Sequence, residues 1–298
     1  MTEIYLLCNI SRQGHHKAML RLKTEYEKEI IFIRIMEQTR EIHPGMGLRK
    51  IYDLTQPEDI GRDAFIALGL REGFRLVTID NKVRTTYSVK SHRYTNLLIG
   101  KQFTDINQIW SSDITHVKNL EKDYYILEIM DVYSRRIIGH SLADNMRAEN
   151  NFEALKMALN LRGIKNFNGT LIHHSDKGSQ YASDLYTQTL EDYGIQISMC
   201  DDVLENSHVE RLHQTIKNQY LYRMEITSEQ ELKQKVKEVI YTYNNLRPHD
   251  SLNGLTPVEY ENLLPSIPMN KRQKLEIYTV KKNTEQKDPN QLNLMFDL

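Results

Sequence analysis

The sequence predicts an α/β protein in which a mixed five-stranded sheet is flanked by helices and preceded by a small helical region. Between residues 109 and 199, five short stretches are continuous apolar runs or alternate between apolar and polar residues, as strands do. The first three are separated only by turns, whereas helical periodicity separates the third, fourth and fifth. The first 100 residues instead combine helical periodicity with turn signals.

Three helices are predicted in the front of the chain. The longest covers residues 25–42 and is ended by the His-Pro-Gly turn signal at residues 43–45. Residues 47–54 and 62–70 form two shorter helices with Arg and Lys on their polar faces. This pattern resembles a helix-turn-helix module, whose second helix lies in a DNA major groove. A small helical bundle with solvated charges explains the same pattern equally well.

The first three predicted strands form an antiparallel meander. Residues 109–117 alternate and carry Asp113, and residues 124–132 form the nearly continuous apolar run that is typical of a central strand. After a turn at residues 134–136, residues 137–142 form the third strand.

The second half of the sheet alternates helices with strands. A helix over residues 147–161 precedes a strand over 170–176, and a helix over 184–193 precedes a strand over 195–199. The order βββαβαβα, completed by a later helix, describes the ribonuclease-H-like arrangement. In that arrangement the first and fourth strands are neighbours.

The remainder of the chain is predicted to contain two amphipathic helices, over residues 206–222 and 228–243, followed by a proline-punctuated loop and a loosely ordered polar tail. We therefore expect a helical, helix-turn-helix-like region with a basic linker at residues 1–99. A core with its C-terminal helices covers residues 100–262, and the polar tail covers residues 263–298.

The composition is that of a folded globular chain. Of the 298 residues, 40% are hydrophobic and 27% are charged, and no apolar run is long enough to span a membrane. Cys8 and Cys200 have no paired spacing, which argues against a disulfide framework and favours a reducing compartment. The net charge is −1, but residues 1–100 hold 16 Lys and Arg against 12 Asp and Glu, whereas residues 101–226 hold 13 against 18. A basic front and an acidic middle suit a DNA-gripping module joined to a cation-requiring site.

Three carboxylates lie on elements that the predicted topology brings close together, two on strands and one on a helix. Asp113 lies on the first strand, Asp176 at the end of the fourth and Glu210 on a later helix. Carboxylates that converge without a base repel one another unless cations lie between them, and hard oxygen ligands favour Mg²⁺ or Mn²⁺. Each acid alone has a simpler explanation. Glu210, for example, stands three residues after Ser207, the spacing of a helix capping box.

Five segments resemble, in the same order, the catalytic half of bacterial insertion-sequence transposases. Specifically, they resemble the second-reading-frame (OrfB) product of the large family related to retroviral integrases. The segments read WSSDIT, DVYSRRIIGHSL, HHSDKGSQYAS, ENSHVERLHQTIKNQYL and YNNLRPHDSLNGLTPVEY. The resemblance covers residues 100–260 closely and extends to the front through HPGMGLRKIY.

The resemblance implies that Asp113, Asp176 and Glu210 form a catalytic, metal-binding triad with 62 and then 33 residues between its members. It also implies that Lys217 contacts DNA near the site. The residues expected to contact DNA or to shape the site are Lys217, Arg211, His213, Gln180, Tyr181, His174, Gly178 and Arg135. For Arg135 and its neighbour Arg136, a solvated turn is the alternative interpretation. Trp110 is expected in the core.

The implied reaction uses Mg²⁺, for which Mn²⁺ can substitute, with two ions at the site. Water nicks the end of the element, and the 3′-hydroxyl then attacks a second phosphodiester without a covalent enzyme intermediate. The implied partners are double-stranded DNA at the element ends and target, a first-frame OrfA-type protein or a frameshift fusion with it, and further copies of the chain. The expected location is the bacterial cytoplasm, at the nucleoid.

Two departures from the family pattern concern the third carboxylate. The spacing before Glu210 is shorter than in most relatives, and Glu205-Asn206-Ser207 stands where many have Asp-Asn-Ala. Glu205, Asp201 and Asp202 are therefore alternatives. Glu210 is favoured because only it shares a helical face with Lys217.

Two rival functions stay open at this point. One is a catalytically silent DNA-binding regulator derived from a transposase, and the other is a ribonuclease-H-like nuclease without strand transfer. The carboxylate pattern argues against the first, and the basic front argues for duplex DNA rather than an RNA–DNA hybrid as substrate.

Overall fold

The structure of the protein is a computed structural model, and it describes residues 10–79, 94–119, 122–200 and 207–277. Residues 88–93 of the predicted basic linker lie outside these residues, as do Asp201, Asp202 and Glu205. In the described part of the chain, no helix is both long enough and apolar enough to cross a membrane.

Three helices form the front of the molecule, as predicted. Helix α1 (Arg12–Ile42) begins well before the expected start, because Ser11 caps it by accepting a hydrogen bond from the Gly14 N–H. Helices α2 (Leu48–Thr55) and α3 (Arg62–Arg71) follow. The three helices share a small apolar core made of Phe32, Met36, Met46, Leu48, Ile51, Phe65 and Leu68.

The five-stranded sheet is confirmed. Its strands are β2 (Ile109–Asn119), β3 (Lys122–Asp131), β4 (Ile137–Ala143), β5 (Ile172–Ser175) and β6 (Gln196–Met199). Their order across the sheet is β4-β3-β2-β5-β6. The meander β2–β3–β4 is antiparallel, whereas β5 pairs in parallel with β2, and β6 with β5. This is the ribonuclease-H-like topology, and it makes the first and fourth strands of the core neighbours.

Helices cover both faces of the sheet because its central strands are apolar on both sides. On one face, α4 (Ala148–Arg162) and α5 (Asp184–Asp192) pack on a core that contains Trp110, as predicted. On the other face, α6 (Ser207–Gln214) and α7 (Glu229–Asn245) pack on a core that contains Ile109. Neighbouring residues of β2 therefore serve opposite cores.

The continuous helix predicted over residues 206–222 is wrong in part. The α-helix ends at Gln214 and is followed by a π-helical segment, Thr215–Tyr220, and a 3₁₀ turn, Leu221–Arg223. The front of the molecule packs tightly on this segment: a Cβ atom on Gly45 would lie 2.4 Å from the Cα of Gln219. Buried His43 also contacts Tyr220, with 2.9 Å between the His43 Nδ1 and the tyrosine hydroxyl.

The C-terminal part is more ordered than expected. The predicted loop over residues 244–260 contains the start of a further helix, α8 (Pro257–Leu263), which Thr256 and Glu259 close with a capping box. The polar tail is not loosely ordered at its start. Strand β7 (Leu275–Glu276) pairs antiparallel with β1 (Gln102–Phe103), so the described end of the chain folds back on the core.

Candidate active site

The two predicted aspartates lie side by side on interior strands of the sheet, where β5 ends beside β2. This place is the acidic edge of the sheet. Ser112 of β2 and Ser175 of β5 are partners in the parallel ladder, and Asp113 and Asp176 each follow one residue later. The Asp113 carboxylate accepts a hydrogen bond from the Ile114 N–H (2.8 Å). Strand pairing thus brings together two acids that have 62 residues between them in the sequence.

The charge of this pair is only partly compensated. Burial raises the pKa of Asp113 to about 6; His213 opposes that shift, and the charge of Asp176 adds to it. Burial likewise raises the pKa of Asp176, against the hydrogen bond from the Gly178 N–H. Two partly buried carboxylates that repel each other form a place where a cation is stabilised.

Gly178 permits the close approach of the turn to Asp176. Its N–H donates to Asp176 Oδ1 over 3.0 Å. A Cβ atom at residue 178 would lie 2.9 Å from that oxygen and 2.8 Å from the Gln180 side-chain oxygen. The glycine of the DKGSQY segment is therefore required by space around the carboxylate, which agrees with its expected role in shaping the site.

A buried histidine–glutamate pair lies against Asp113, and sequence reasoning missed its acidic member. Glu128 of β3 is fully buried and is the ladder partner of Asp113. His213 of α6 lies 2.8 Å from Glu128 through Nε2 and 3.5 Å from Asp113 through Nδ1. The contact with Glu128 is an ion pair rather than a well-aligned hydrogen bond. A charged residue inside the apolar run YYILEIMDV was the available signal.

The acidic neighbours of His213 favour its protonated form. Burial lowers the pKa of His213, but Glu128 and then Asp113 outweigh burial and raise it above its ordinary value. The side chain is only 7% exposed. Its position favours holding Asp113 in place over the predicted contact with DNA, which would need an accessible ring.

Lys217 lies near the same acids. Its ammonium approaches the His116 carbonyl oxygen at 3.4 Å, and burial lowers its pKa while Glu128 and Asp113 act in the opposite direction. The side chain is half-buried, so one part faces the acidic edge and another part stays accessible. The structure thus brings Lys217 to the edge where the sequence predicted it.

Glu210 lies in the first turn of α6 and is partly buried. Among the described residues, no group of three or more His, Cys, Asp or Glu side chains is placed to hold a metal ion. The structure therefore brings Asp113 and Asp176 together but does not gather Glu210 with them into a ligand set. The choice of Glu210 stays a prediction, since its alternatives lie outside the described residues.

Two other predicted site residues are buried behind the aspartates. Tyr181 packs edge-on against Tyr186, and burial, followed by the charges of Asp176 and Asp113, raises the pKa of its hydroxyl. His174 lies in β5 with its Nδ1 2.9 Å from the Ser198 hydroxyl. Their burial favours a role in shaping the site over direct contact with DNA. Gln180 is only partly buried.

The turn between β3 and β4 is not the solvated turn that the sequence suggested as an alternative. Arg136 forms a partly buried ion pair with Glu261 of α8, which also contacts Arg162 of α4. Arg135 instead lines a cavity beside Arg211 and is largely buried. The two arginines therefore have different roles.

The donor set at the sheet edge fits a divalent cation with a preference for oxygen. Asp113 and Asp176 present hard carboxylate oxygens. Mg²⁺ and Mn²⁺ prefer such ligands and are commonly bound through one or two carboxylates together with the phosphates of a substrate.

Comparisons with known proteins identify an integrase core domain in this chain. Two models of the integrase core domain match the chain, over residues 104–202 and 193–257. The transposase for insertion sequence element IS629 from Shigella sonnei is 29% identical over 265 residues, which are 86% of each chain. The transposase for IS904 from Lactococcus lactis is 30% identical over 158 residues, which are 52% of this chain and 61% of that protein.

Among solved structures, the HTLV-2 integrase catalytic core domain in complex with magnesium is similar with a TM-score of 0.43 and 22% identity. The match covers 56% of this chain and 99% of that one. Sheet topology, the paired aspartates and the two family models together define a protein with an integrase-type core. The chain belongs to the family of insertion-sequence transposases that carry this core.

Proposed function

We propose that the protein is the DDE catalytic subunit of an insertion-sequence transposase, which nicks the ends of its own element and joins them to DNA. The single observation that carries this proposal is the pairing of Asp113 and Asp176 at one sheet edge. The relatives named as transposases support the choice of DNA as substrate.

The proposed reaction consists of two successive displacements at phosphorus in the same active site. In the first, water attacks a phosphodiester at the element end, the bond from phosphorus to the 3′-oxygen breaks, and a 3′-hydroxyl is left. In the second, that hydroxyl attacks another phosphodiester and expels a different 3′-oxygen. Water is the only co-reactant, and each transfer breaks one ester bond as it forms another bond to phosphorus.

Asp113 and Asp176 would hold Mg²⁺ or Mn²⁺, with Glu210 as the third ligand when the metal and DNA are bound. The metal supplies activation of the attacking oxygen and stabilisation of the leaving one. His213, held by Glu128, keeps the Asp113 carboxylate in place, and the accessible part of Lys217 binds a phosphate of the reacting strand.

We further propose that residues 1–99 bind DNA through α2 and α3, and that residues 100–262 form the catalytic unit. The partners would be element-end and target DNA, an OrfA-type product of an upstream frame or a fusion with it, and a second copy of the chain to hold the second end. The bacterial nucleoid is where this substrate occurs.

The test is a nicking and joining assay with labelled DNA from the flanks of the gene, Mg²⁺, and the protein with or without the product of an upstream frame. We expect strand transfer that is lost in Glu210→Gln and kept in the matched variant Glu205→Gln. The reverse pattern would move the third carboxylate to Glu205. DNA binding without any metal-dependent nicking would make the silent regulator the better assignment.

A further inference from the structure

A basic cavity of about 260 Å³ lies where the helical front, the β3–β4 turn and the segment after α7 meet α6. This volume is several times the roughly 30 Å³ that one water molecule occupies in the liquid. Helix α6 contributes Arg211 to it, whereas His213 on the same helix approaches Asp113. The basic residues that line the cavity are Lys50, Arg135, Arg211 and Arg247, together with His208 and His249.

Among the described residues, carboxylates only partly balance the positive charge of the basic cavity. Its acidic member is Asp250, which pairs with Lys50 at 3.1 Å and keeps 86% of its side chain exposed. Within the described part of the chain, none of the arginines Arg135, Arg211 and Arg247 forms an ion pair with a carboxylate. Three guanidinium groups therefore share one cavity without a carboxylate partner in the part of the chain that the structure describes.

Arg135 is the most constrained of these arginines. Its Nη1 is buried and has no hydrogen-bond partner among the residues that the structure describes. Burial, with a contribution from Arg211, lowers the pKa of its guanidinium. Its backbone has a φ of 63°, a left-handed conformation that costs a non-glycine residue of order 1 kcal/mol or more. Strain and a buried unpaired cation are both destabilising, and an anion in the cavity would offset the second.

The remaining polar groups are suited to an anion. His208 and His249 add ring nitrogens to the lining of the cavity. Among the described residues, the buried Nε2 of His249 has no hydrogen-bond partner, and burial followed by the charge of Arg247 lowers the pKa of that ring to about 3. The guanidinium group of arginine can donate hydrogen bonds to two oxygens of one phosphate. Several guanidinium groups that line one cavity are therefore suited to a phosphate group.

We propose that the basic cavity binds a phosphate group of the DNA backbone, at a second site separated from the paired aspartates by α6. The inference rests on the proposed function for the identity of the substrate. An α-helix is about 10 Å across, so the phosphate held here is a different one from the reacting phosphate. Because Lys50, Arg135 and Arg247 come from three segments, this phosphate fixes the position of the helical front relative to the core on DNA.

The first experiment uses inorganic phosphate as probe. The melting temperature of the full chain is measured without metal, in phosphate and in chloride of equal ionic strength. Arg211→Gln changes an exposed side chain, and Arg135→Asn places a residue that tolerates the left-handed conformation, so both variants are expected to fold. Arg147→Gln, at an exposed arginine outside the cavity, is the matched control. Phosphate should stabilise wild type and Arg147→Gln but neither cavity variant.

The second experiment measures binding of flanking-end duplex in EDTA at several salt concentrations. Removing one phosphate contact lowers the slope of log K against log salt by about 0.9. We expect this reduction in Arg211→Gln and Arg135→Asn and no reduction in Arg147→Gln. Cavity variants that lose the phosphate response but keep wild-type DNA affinity and slope would overturn the assignment to DNA and identify free phosphate as the ligand.

Failure of this inference can be told apart from failure of the proposed function. Equal stabilisation of all four proteins by phosphate, with equal salt slopes, would overturn the inference even if wild type nicks element ends. If wild type does not nick but the cavity variants alone lose the phosphate response and the salt slope, the basic cavity stands and the catalytic assignment fails. If Arg135→Asn does not fold, Arg211→Gln decides the outcome.

Discussion

At the scale of single residues, the candidate site contains a buried acidic residue, Glu128, within an apolar strand. Glu128 has no exposed surface, and its contacts are with His213, which in turn reaches Asp113. The His213 ring, which lies between Glu128 and Asp113, keeps the Asp113 carboxylate in one position. Residues that orient a metal ligand in this way commonly change metal affinity or activity by about 10–100-fold when replaced.

We therefore expect Glu128→Gln, which keeps the side-chain volume, to raise the Mg²⁺ concentration needed for half-maximal nicking by about 10–100-fold. The matched control is Asp123→Asn, an exposed carboxylate on the same strand whose partner is His116. Nicking by both variants is measured over a Mg²⁺ titration. Unchanged Mg²⁺ dependence in Glu128→Gln would contradict a positioning role for the pair.

The sequence anticipated the two aspartates but not this pair. Asp113 and Asp176 could be predicted because their strands are recognisable and their neighbourhood follows from topology. The contact of Glu128 with His213 needs the antiparallel register of β3 and the exact rotation of α6, neither of which is encoded locally. Arg135 was open to a wrong interpretation for the same reason, since a turn residue is ordinarily solvated.

At the scale of secondary-structure elements, the five strands of the sheet were predictable, whereas the π-helical segment and helix α8 were not. Alternation and apolar runs defined all five strands, and the first and fourth of them are neighbours, as predicted. The π-helical segment Thr215–Tyr220 was missed because Ile216 and Tyr220 continue the apolar stripe of the preceding α-helix. Helix α8 was missed because proline was taken as a loop signal, although Pro257 occupies the first turn, where proline is tolerated.

A buried ion network connects α8 to the sheet and gives the element-scale prediction. Arg162 lies 3.0 Å from Asp131 and 2.6 Å from Glu261, and all three side chains are at most 7% exposed. Arg162→Met leaves two buried carboxylates without their shared partner, so we expect a loss of about 3–5 kcal/mol in the free energy of unfolding. Urea denaturation at pH 7 measures it.

The control for this prediction lies on the same helix. Lys156→Met removes an exposed cation that pairs with Glu153, and we expect a change within about 0.5 kcal/mol. Burial raises the pKa of Asp131 to about 6 even with Arg162 present. A raised acid pKa gives stability that is present at low pH and is lost as pH rises, so Arg162→Met should recover part of its loss at pH 5. Equal losses in both variants would rule out the network as a source of stability.

At the scale of the whole molecule, the helical front and the core meet through a small set of polar contacts around the π-helical segment. His43 follows α1, is 3% exposed and lies 2.9 Å from the hydroxyl of Tyr220. Arg247 reaches the same hydroxyl at 3.4 Å and also lines the basic cavity. A change in this contact therefore bears on how the front is held against the core.

This contact predicts a pH dependence for the whole fold. Burial, and then the charge of Arg247, lowers the pKa of His43 to about 4, well below its ordinary value. A histidine with a lowered folded-state pKa contributes stability that is complete above its unfolded pKa of about 6.5 and is lost as pH falls toward 4. Between pH 7 and pH 5 this loss is at most about 2 kcal/mol.

His43→Gln cannot take up the proton, so its stability should fall less than that of wild type over the same interval. Chemical denaturation at pH 7, 6 and 5 compares the two, and parallel losses would show that protonation of His43 does not separate the front from the core.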